Sequence, residues 1–445
     1  MMLLNIRTSI VALLISCEQA HPDTAGSQGV AHEASPGTNR TVSGQATQSG
    51  MFATSTGDAR SNAQRVSLGI TVLLEDSLHL VRGKRVGLIT NHTGRDERGR
   101  ASIDVLANAP GVRLTALFAP EHGIRGAAEG GKRISSSVDK ATGVPIHSLY
   151  GASRVPTARM LAGVDVLVYD IQDVGARMYT YVWTMTLAAE AAKKAGKRLI
   201  VLDRPNPIRG DLIEGGFIER RYRSFTGLHN VMPRYGLTPG ELALYLAGTK
   251  QIDANITVVP MKGYRASMWW DETGLSWVGP SPNIPDVEAA LLYNGTGLFE
   301  ATNVSEGRGT NAPFRLVGAS WLSDADEIAR AMNARRLPGV RFAATSRRIA
   351  PGEEFGGKSI PMVSVRVTSR DSVRVIDAGA YLLQEIYRRH PREFRWQGRG
   401  IEEISGSRSL REAVERGNVA DVLAQWRHES AQFAAAVAPY RLYPR

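Results

Sequence analysis

Cysteine is almost missing: the 445-residue chain has one. No disulfide can close within it, and a thiolate-based structural zinc site has no ligand set. Aromatic residues are few, at 7%, and they are not interleaved with basic runs as in single-strand nucleic-acid channels. Positive charge is nevertheless in excess, with 54 basic against 43 acidic residues and a formal charge of +11. The cations are scattered rather than blocked, so they read as a solvated surface that tolerates an acidic polymer or a membrane. Nucleic acid is therefore set aside as a partner. The nine histidines are dispersed, so neither a metal nor any other cofactor is expected. With 43% hydrophobic residues, the chain is long enough for two domains with real cores.

The single cysteine sits in a telling place. Met1 to Arg7 is a short, weakly basic start, and Thr8 to Ser16 is a brief apolar run. That run falls far below the ~20 residues of a spanning helix and reads as an export signal. It ends in Leu14-Ile-Ser-Cys17, which resembles the lipobox of bacterial lipoproteins, where the chain is cut just before an acylated cysteine. The expectation is an exported protein in the periplasm or cell envelope, lipid-anchored to a membrane through Cys17. Residues 18–64 are rich in Ser, Gly, Thr, Gln and Ala. Such a segment buries too little apolar surface to offset its ordering entropy and reads as a flexible linker.

From residue 65 onward, short apolar runs alternate with helical stretches. Arg85–Thr90, Leu114–Phe118, Val164–Asp170, Arg198–Asp203 and Ile256–Pro260 read as buried strands. Helices are expected around Ala101–Asn108 and Met178–Ala195. Another opens at Thr238-Pro-Gly-Glu241, a capping box with proline at the first helical position. The fold class is α/β: a mostly parallel sheet with helices on both faces. The proline-rich Ser281–Pro285 reads as an extended connection, which places the domains at 65–288 and 289–445. The second part reads as a smaller α+β domain. It has a glycine-rich loop at Asn294–Thr310, a helix near Asp324–Asn333, a strand at Met362–Val367, a helix at Ile376–Arg388 and two further helices toward Phe433.

Ligands of open parallel sheets bind beyond the carboxyl ends of the strands, and here those ends are crowded with polar groups. The first strand runs into Asn91 and His92, and the second into Glu121 and His122. The third runs into Asp170, Gln172 and Asp173, with Arg177 following. The fourth ends in Asp203, Arg204 and Asn206, and the fifth in Met261-Lys262. Glu121 is a candidate general acid with His122 beside it. The plainer alternative is a carboxylate over Arg125 and a core-facing histidine. Asp170 is as well suited to a structural hydrogen bond as to substrate, and Arg177 can simply pair with Asp173. Ser305–Thr310 puts Glu306 and Arg308 between glycines, which permit close backbone approach to a ligand. Gly126–Lys132 mimics a phosphate-binding loop, but Arg133 stands where Ser or Thr must hold magnesium. A metal-dependent hydrolase built on His92, His122 and Asp170 stays open from spacing alone. No Gly-x-Ser-x-Gly elbow follows a strand.

Several long motifs occur in order: Gly87-Leu-Ile-Thr-Asn-His92, Phe118-Ala-Pro-Glu-His-Gly123, Tyr169-Asp-Ile-Gln-Asp-Val-Gly-Ala-Arg-Met-Tyr-Thr-Tyr181, Leu202-Asp-Arg-Pro-Asn-Pro207, Pro280-Ser-Pro-Asn-Ile-Pro285 and Glu306-Gly-Arg-Gly-Thr310. Together they resemble the NamZ-like exo-β-N-acetylmuramidases, and the likeness runs from about Ser67 to Arg445. It implies a Rossmann-like catalytic domain, a smaller domain completing a cleft, and release of N-acetylmuramic acid from non-reducing ends of peptidoglycan fragments. The family's two glutamates fall on Glu121 and Glu306. Two departures, Asn294 in place of a frequent proline and Gly357-Lys-Ser359 in place of a cysteine-and-glycine stretch, lie in the second domain.

Glycoside hydrolysis asks for an acid to protonate the leaving oxygen and often for a second carboxylate. Glu121 would be the acid, raised by partial burial, and Glu306 or Asp170 would stabilise the transition state or activate water. Arg177, Arg308 or Arg125 would hold the lactyl carboxylate through a bidentate fork. Tyr179, Trp183, Trp269 and Trp270 are candidate sugar platforms, although such aromatics are more often core. Asn91, His92, His122, Gln172, Asp173, Asp203, Arg204 and Asn206 complete the expected substrate contacts. The rival from another class is a lipid-anchored protein that binds peptidoglycan fragments without cleaving them.

Overall fold

The computed structural model describes residues 65–120, 123–125, 137–150 and 153–445. Cys17, the 18–64 segment, Glu121, His122 and the Gly126–Lys132 stretch lie outside the described residues. The strands are β1 (Arg85–Thr90), β2 (Arg113–Ala119), β3 (Ser137–Val138), β4 (Pro145–Ser148), β5 (Val166–Asp170), β6 (Leu199–Leu202), β7 (Ile256–Val259), β8 (Leu316–Gly318), β9 (Val340–Arg348) and β10 (Ser359–Val367). The helices are α1 (Gly69–Asp76), α2 (Ser102–Ala107), α3 (Ala158–Leu161), α4 (Tyr181–Lys194), α5 (Pro239–Gly248), α6 (Val287–Thr296), α7 (Ala325–Ala334), α8 (Val375–Arg389), α9 (Gly400–Ser405), α10 (Ser409–Arg416) and α11 (Val419–Val437).

The five apolar runs read from the sequence are the middle of a seven-stranded sheet of order β3-β4-β2-β1-β5-β6-β7. All its pairings are parallel except that of β3 with β4. Side chains alternate across the strands, and both faces are buried. Leu88, Leu117, Val168 and Ile200 join Ile70 and Leu73 of α1 and Ile103 and Leu106 of α2 in one core. Ile89, Phe118, Leu167 and Val201 join Val182 and Met185 of α4 and Leu242 and Leu246 of α5 in another. Double coverage explains why these strands read as continuous apolar runs. Helix α5 begins as expected: the Thr238 side chain accepts from Glu241 N, and Glu241 returns to Thr238 N.

The second, antiparallel sheet has the order β8-β10-β9. Its core is continuous with the rim of the first sheet, since Val174, Ala176 and Met178 pack in the same cluster as Leu291 of α6, Val363 of β10, Leu382 of α8 and Trp426 of α11. All the described residues fall within one compact unit, Arg60–Arg445.

Two expectations fail here for definable reasons. The loop expected from Asn294 begins later, because α6 runs to Thr296. Its helix-averse residues satisfy themselves on the helix: Asn294 Nδ2 donates to Ala290 O (3.2 Å) and Thr296 Oγ1 to Leu292 O (3.0 Å). Strand β9 was not foreseen. It has only two buried apolar residues, Val340 and Phe342, so no apolar run announces it, and its nine-residue pairing with β10 creates it.

Helices α6 and α8 cross at Gly295 and Gly379, where a methyl on either would overlap backbone of the other helix. Gly379→Ala is expected to destabilise the protein by about 1–3 kcal/mol through overpacking. A urea midpoint equal to that of the wild type, at unchanged slope, would contradict so close a crossing.

Candidate functional site

The carboxyl ends of β1, β5 and β6 form a rim whose charges are mostly neutralised within it. Asp170 closes β5 fully buried. Its Oδ1 accepts from Arg204 Nε (2.5 Å), and its Oδ2 accepts from Arg204 Nη2 (2.9 Å) and from the Ser102 hydroxyl. Thr90 Oγ1 donates to its carbonyl at 2.7 Å. Arg204 also donates to Arg95 O at 2.7 Å. A bidentate, desolvated pair of this kind ties strands together. Neither carboxylate oxygen is left over to serve as a base, so of the two readings of Asp170 the geometry favours the structural hydrogen bond.

Asp203 is likewise occupied. It accepts from Thr238 Oγ1 (2.7 Å), Gly240 N (2.8 Å), Tyr443 OH (2.6 Å) and Arg204 N (3.0 Å). It thus caps α5 and anchors the end of the chain, while burial pushes its carboxyl up to about 7. Asp173 accepts from Gly175 N (2.8 Å) and from Tyr235 OH, and burial raises it to about 6. Asn206 supports the same turn, with Oδ1 accepting from Ile208 N (3.1 Å) and Nδ2 donating to Leu237 O (2.9 Å). Gly175 has φ 79°, and any Cβ there would meet Asn206 Oδ1 at 2.5 Å. Only glycine fits that turn.

Arg177 does not pair with Asp173. It is buried, and its guanidinium donates to Val231 O (2.7 Å), Gly216 O (3.3 Å) and Ile404 O (2.7 Å). Burial without an acid partner lowers its pKa to about 9. It joins the β5–α4 turn to the end of α9 and is unavailable to a substrate carboxylate in this arrangement. Arg125 is held by Asp139 (2.8 Å) and Asp104 (3.0 Å). Trp183 and Trp269 are buried at 0% and 3% exposure, which makes them core rather than sugar platforms.

A different set of polar residues lies at the ends of β1 and β5 beside that ion pair. Asn91 Oδ1 accepts from Thr93 N (2.9 Å) and Thr93 Oγ1 (2.6 Å), and Thr93 Oγ1 in turn accepts from Gln172 N (3.0 Å). Gln172 Nε2 donates to Pro205 O at 2.8 Å. His92 Nε2 lies 2.8 Å from Gly279 O, and Tyr181 OH donates to Pro280 O at 2.9 Å. The connection at Pro280–Pro285 is therefore strapped across the rim. Asn91 and Gln172 are linked through Thr93, at positions set by β1 and β5 in register.

Glu306 sits on a loop of the second module. Ser305 pairs with Gly318 of β8 through hydrogen bonds of 2.8 and 2.9 Å, and Phe314 N donates to Glu306 O at 2.7 Å. Glu306 is 8% exposed, and its Oε1 accepts from Arg308 Nε at 2.5 Å. Arg308 is shared with Glu300 and lies over the Phe314 ring, 5.3 Å from its centroid. An unbroken line of aromatic rings connects the two modules: Tyr181 to Tyr179 (4.9 Å), Tyr179 to Tyr293 (6.1 Å) and Tyr293 to Phe314 (4.7 Å). Tyr179 thus works as a spacer between rim and acid loop.

Sequence reasoning missed Glu354, on the loop between β9 and β10. Burial and the charge of Glu306 both raise its pKa. That loop is bolted to the Glu306 loop, with Ala350 N donating to Gly309 O at 2.8 Å. At Gly309 (φ 73°) a Cβ would sit 2.9 Å from Glu353 Cγ. Phe314 and Phe355, at φ 61° and 64°, are non-glycine residues held in left-handed backbone on either side of this contact, the kind of strain that concentrates at functional sites. No motif in the sequence links position 354 to 306, because the pairing of β9 with β10 brings them together.

Comparison with known proteins follows the same division. Residues 86–288 match the family model for exo-beta-N-acetylmuramidase NamZ, N-terminal, and residues 291–443 match that for its C-terminal part. The chain is 41% identical over 382 residues to the peptidoglycan beta-N-acetylmuramidase NamZ of Bacillus subtilis (strain 168), covering 85% of this chain and 92% of that one. Among solved structures it resembles two DUF1343 family proteins of Bacteroides fragilis NCTC 9343. One has a TM-score of 0.79 at 37% identity and the other 0.69 at 27%, each covering 85% of this chain and 99% of its own.

Removing one partner of a buried ion pair strands the other, at a cost of about 3–5 kcal/mol. Asp170→Asn should therefore lower the unfolding free energy by that order. A variant with wild-type stability but a collapsed reaction rate would return Asp170 to the chemistry.

Proposed function

This chain belongs to the exo-beta-N-acetylmuramidase NamZ family of glycoside hydrolases, and we propose that it releases N-acetylmuramic acid from the non-reducing ends of peptidoglycan fragments. The observation that carries the proposal is the meeting of two elements in one core. One is the polar rim of the seven-stranded sheet, and the other is the loop holding a nearly buried carboxylate, Glu306, joined to it through Tyr179, Tyr293 and Phe314.

In this reading Glu121, two residues beyond the end of β2, is the general acid that protonates the glycosidic oxygen. Glu306 is the second carboxylate, stabilising positive charge at the anomeric carbon or activating water. Asp170 drops out of that role, because Arg204 and Ser102 take its oxygens. Of the three arginines considered for the lactyl carboxylate, Arg308 fits best. Its side chain is 34% exposed and lies directly beside Glu306, whereas Arg177 is buried among carbonyls and Arg125 pairs with Asp104 and Asp139, away from Glu306 in the sequence and its contacts. Asn91, His92 and Gln172 would orient the sugar from the rim.

Incubation with a MurNAc-terminated disaccharide should yield free MurNAc. Loss of the acid in Glu121→Gln should slow release by about 100- to 10,000-fold, the usual contribution of a positioned acid–base group. Glu306→Gln should also be impaired. Folded protein that frees no MurNAc at any pH would end the proposal, and a Glu121→Gln variant near the wild-type rate would end the assignment of the acid.

The same reading includes export and lipid anchoring at Cys17, supported by the apolar leader and its lipobox-like end. No helix among the described residues is long and apolar enough to cross a membrane. Cys17→Ser should move the protein from the membrane fraction to the soluble fraction of a bacterial host, and an unchanged distribution would refute the anchor.

A further inference from the structure

Beyond the rim lies a cavity of about 600 Å³ with no part in the chemistry described above. It opens beside the β2 turn. Arg125 contributes to its wall from that turn, and Arg95 and Arg100 do so from the loop after β1. Arg125 is four residues beyond Glu121 in the sequence, and four extended residues span at most ~14 Å. The cavity therefore begins within the reach of a short oligosaccharide from the proposed general acid.

The lining has a distinct chemistry. Three guanidinium groups and one acid, Asp104, line it together with Leu74 and Leu78, while Asp96 and Asp139 pair with Arg100 and Arg125 from outside the lining. Arg100 leans on Asp96 with its side chain 60% exposed. Arg95 donates to His92 O (3.0 Å) and Gly99 O (2.8 Å). It has no acidic partner among the described residues. Arg125 is oriented by Asp139 and Asp104 with 40% of its side chain in solvent. Cations aligned by backbone carbonyls and carboxylates at the edge of an apolar floor suit a ligand that presents a carboxylate next to an apolar face. Arginine forks are well matched to carboxylates.

An enzyme that removes one terminal sugar at a time leaves the rest of its substrate outside the catalytic pocket. In peptidoglycan that remainder bears carboxylates, either on the lactyl ethers of further muramic residues or on stem peptides attached to them. We propose that the cavity of Arg95, Arg100 and Arg125 is a subsite for a carboxylate on the leaving portion of the glycan. It would give the enzyme a preference for longer, anionic fragments over the neutral-ended disaccharide. The inference rests on the glycosidase reading above and deepens it by specifying the substrate class.

The test compares MurNAc-GlcNAc with the tetrasaccharide MurNAc-GlcNAc-MurNAc-GlcNAc, peptide-free in one arm and carrying a stem peptide on the inner muramic residue in the other. Full-length wild type and the Arg100→Ser and Arg100→Lys variants are assayed by MurNAc release. Loss of one charge-assisted contact should lower the tetrasaccharide-to-disaccharide ratio of kcat/KM by about tenfold in Arg100→Ser, mainly through KM. Arg100→Lys should retain part of the preference, and added salt should erode it in the wild type. A merely structural effect would scale both substrates together and leave the ratio alone. A fall in the peptide-free arm assigns the subsite to the lactyl carboxylate, and a fall confined to the other arm assigns it to the stem peptide. A ratio unchanged by Arg100→Ser in both arms overturns the subsite while leaving the glycosidase intact. Wild-type protein that releases no MurNAc from any of these substrates sinks both readings.

Discussion

Everything at the rim depends on one desolvated ion pair. Asp170 and Arg204 are both almost fully buried, and between them they touch the ends of β5 and β6, the loop after β1 through Arg95, and the start of α2 through Ser102. A buried pair is not a large net source of stability, because desolvation offsets most of its attraction. Its effect here is geometric. With both charges committed to each other, the loops of three adjacent parallel strands have a single arrangement, and Asn91, His92 and Gln172 are presented from fixed backbone.

A second set of buried polar contacts joins the modules. Arg177 reaches from the β5–α4 turn to Ile404 O. Arg234 pairs with Glu214 at 2.6 Å, and Glu214 also accepts from Ile376 N at the start of α8. Around them lies a continuous apolar core with side chains from both modules. Such an interface resembles an interior more than a contact between independent domains. The Glu306 loop is therefore held in place relative to the rim, as electrostatic preorganisation of a glycosidase requires.

The acid loop shows why glycine and strain occur together. Gly307 and Gly309 both have positive φ, which lets the backbone fold tightly beside Ala350 and Glu353. Phe314 adopts a similar conformation without that freedom, at a cost of order 1–3 kcal/mol. Its packing against Tyr293 and under Arg308 offsets that strain. The result brings Glu300 and Glu306 onto one guanidinium, that of Arg308, with Glu354 near enough for the charge of Glu306 to raise its pKa.

The sequence by itself determined the central strands, their coverage by helices on both faces and the capping box that starts α5. Each of these follows from local patterns of period and capping that tertiary contacts did not override. It also singled out candidate chemical positions: the strand ends, where polar groups crowd against an apolar background, and Glu306, which lies between glycines and falls on a family motif. Only tertiary structure decided what those polar groups do. Asp170, Asp203, Asn206 and Arg177 look like ligand contacts in one dimension and are structural ties in three, since each binds a partner that lies 31 to 240 residues away in the chain. Helix α6, strand β9 and the meeting of Glu354 with Glu306 were equally illegible. Their residues have weak local preferences, and long-range pairing supplies the free energy that local sequence does not.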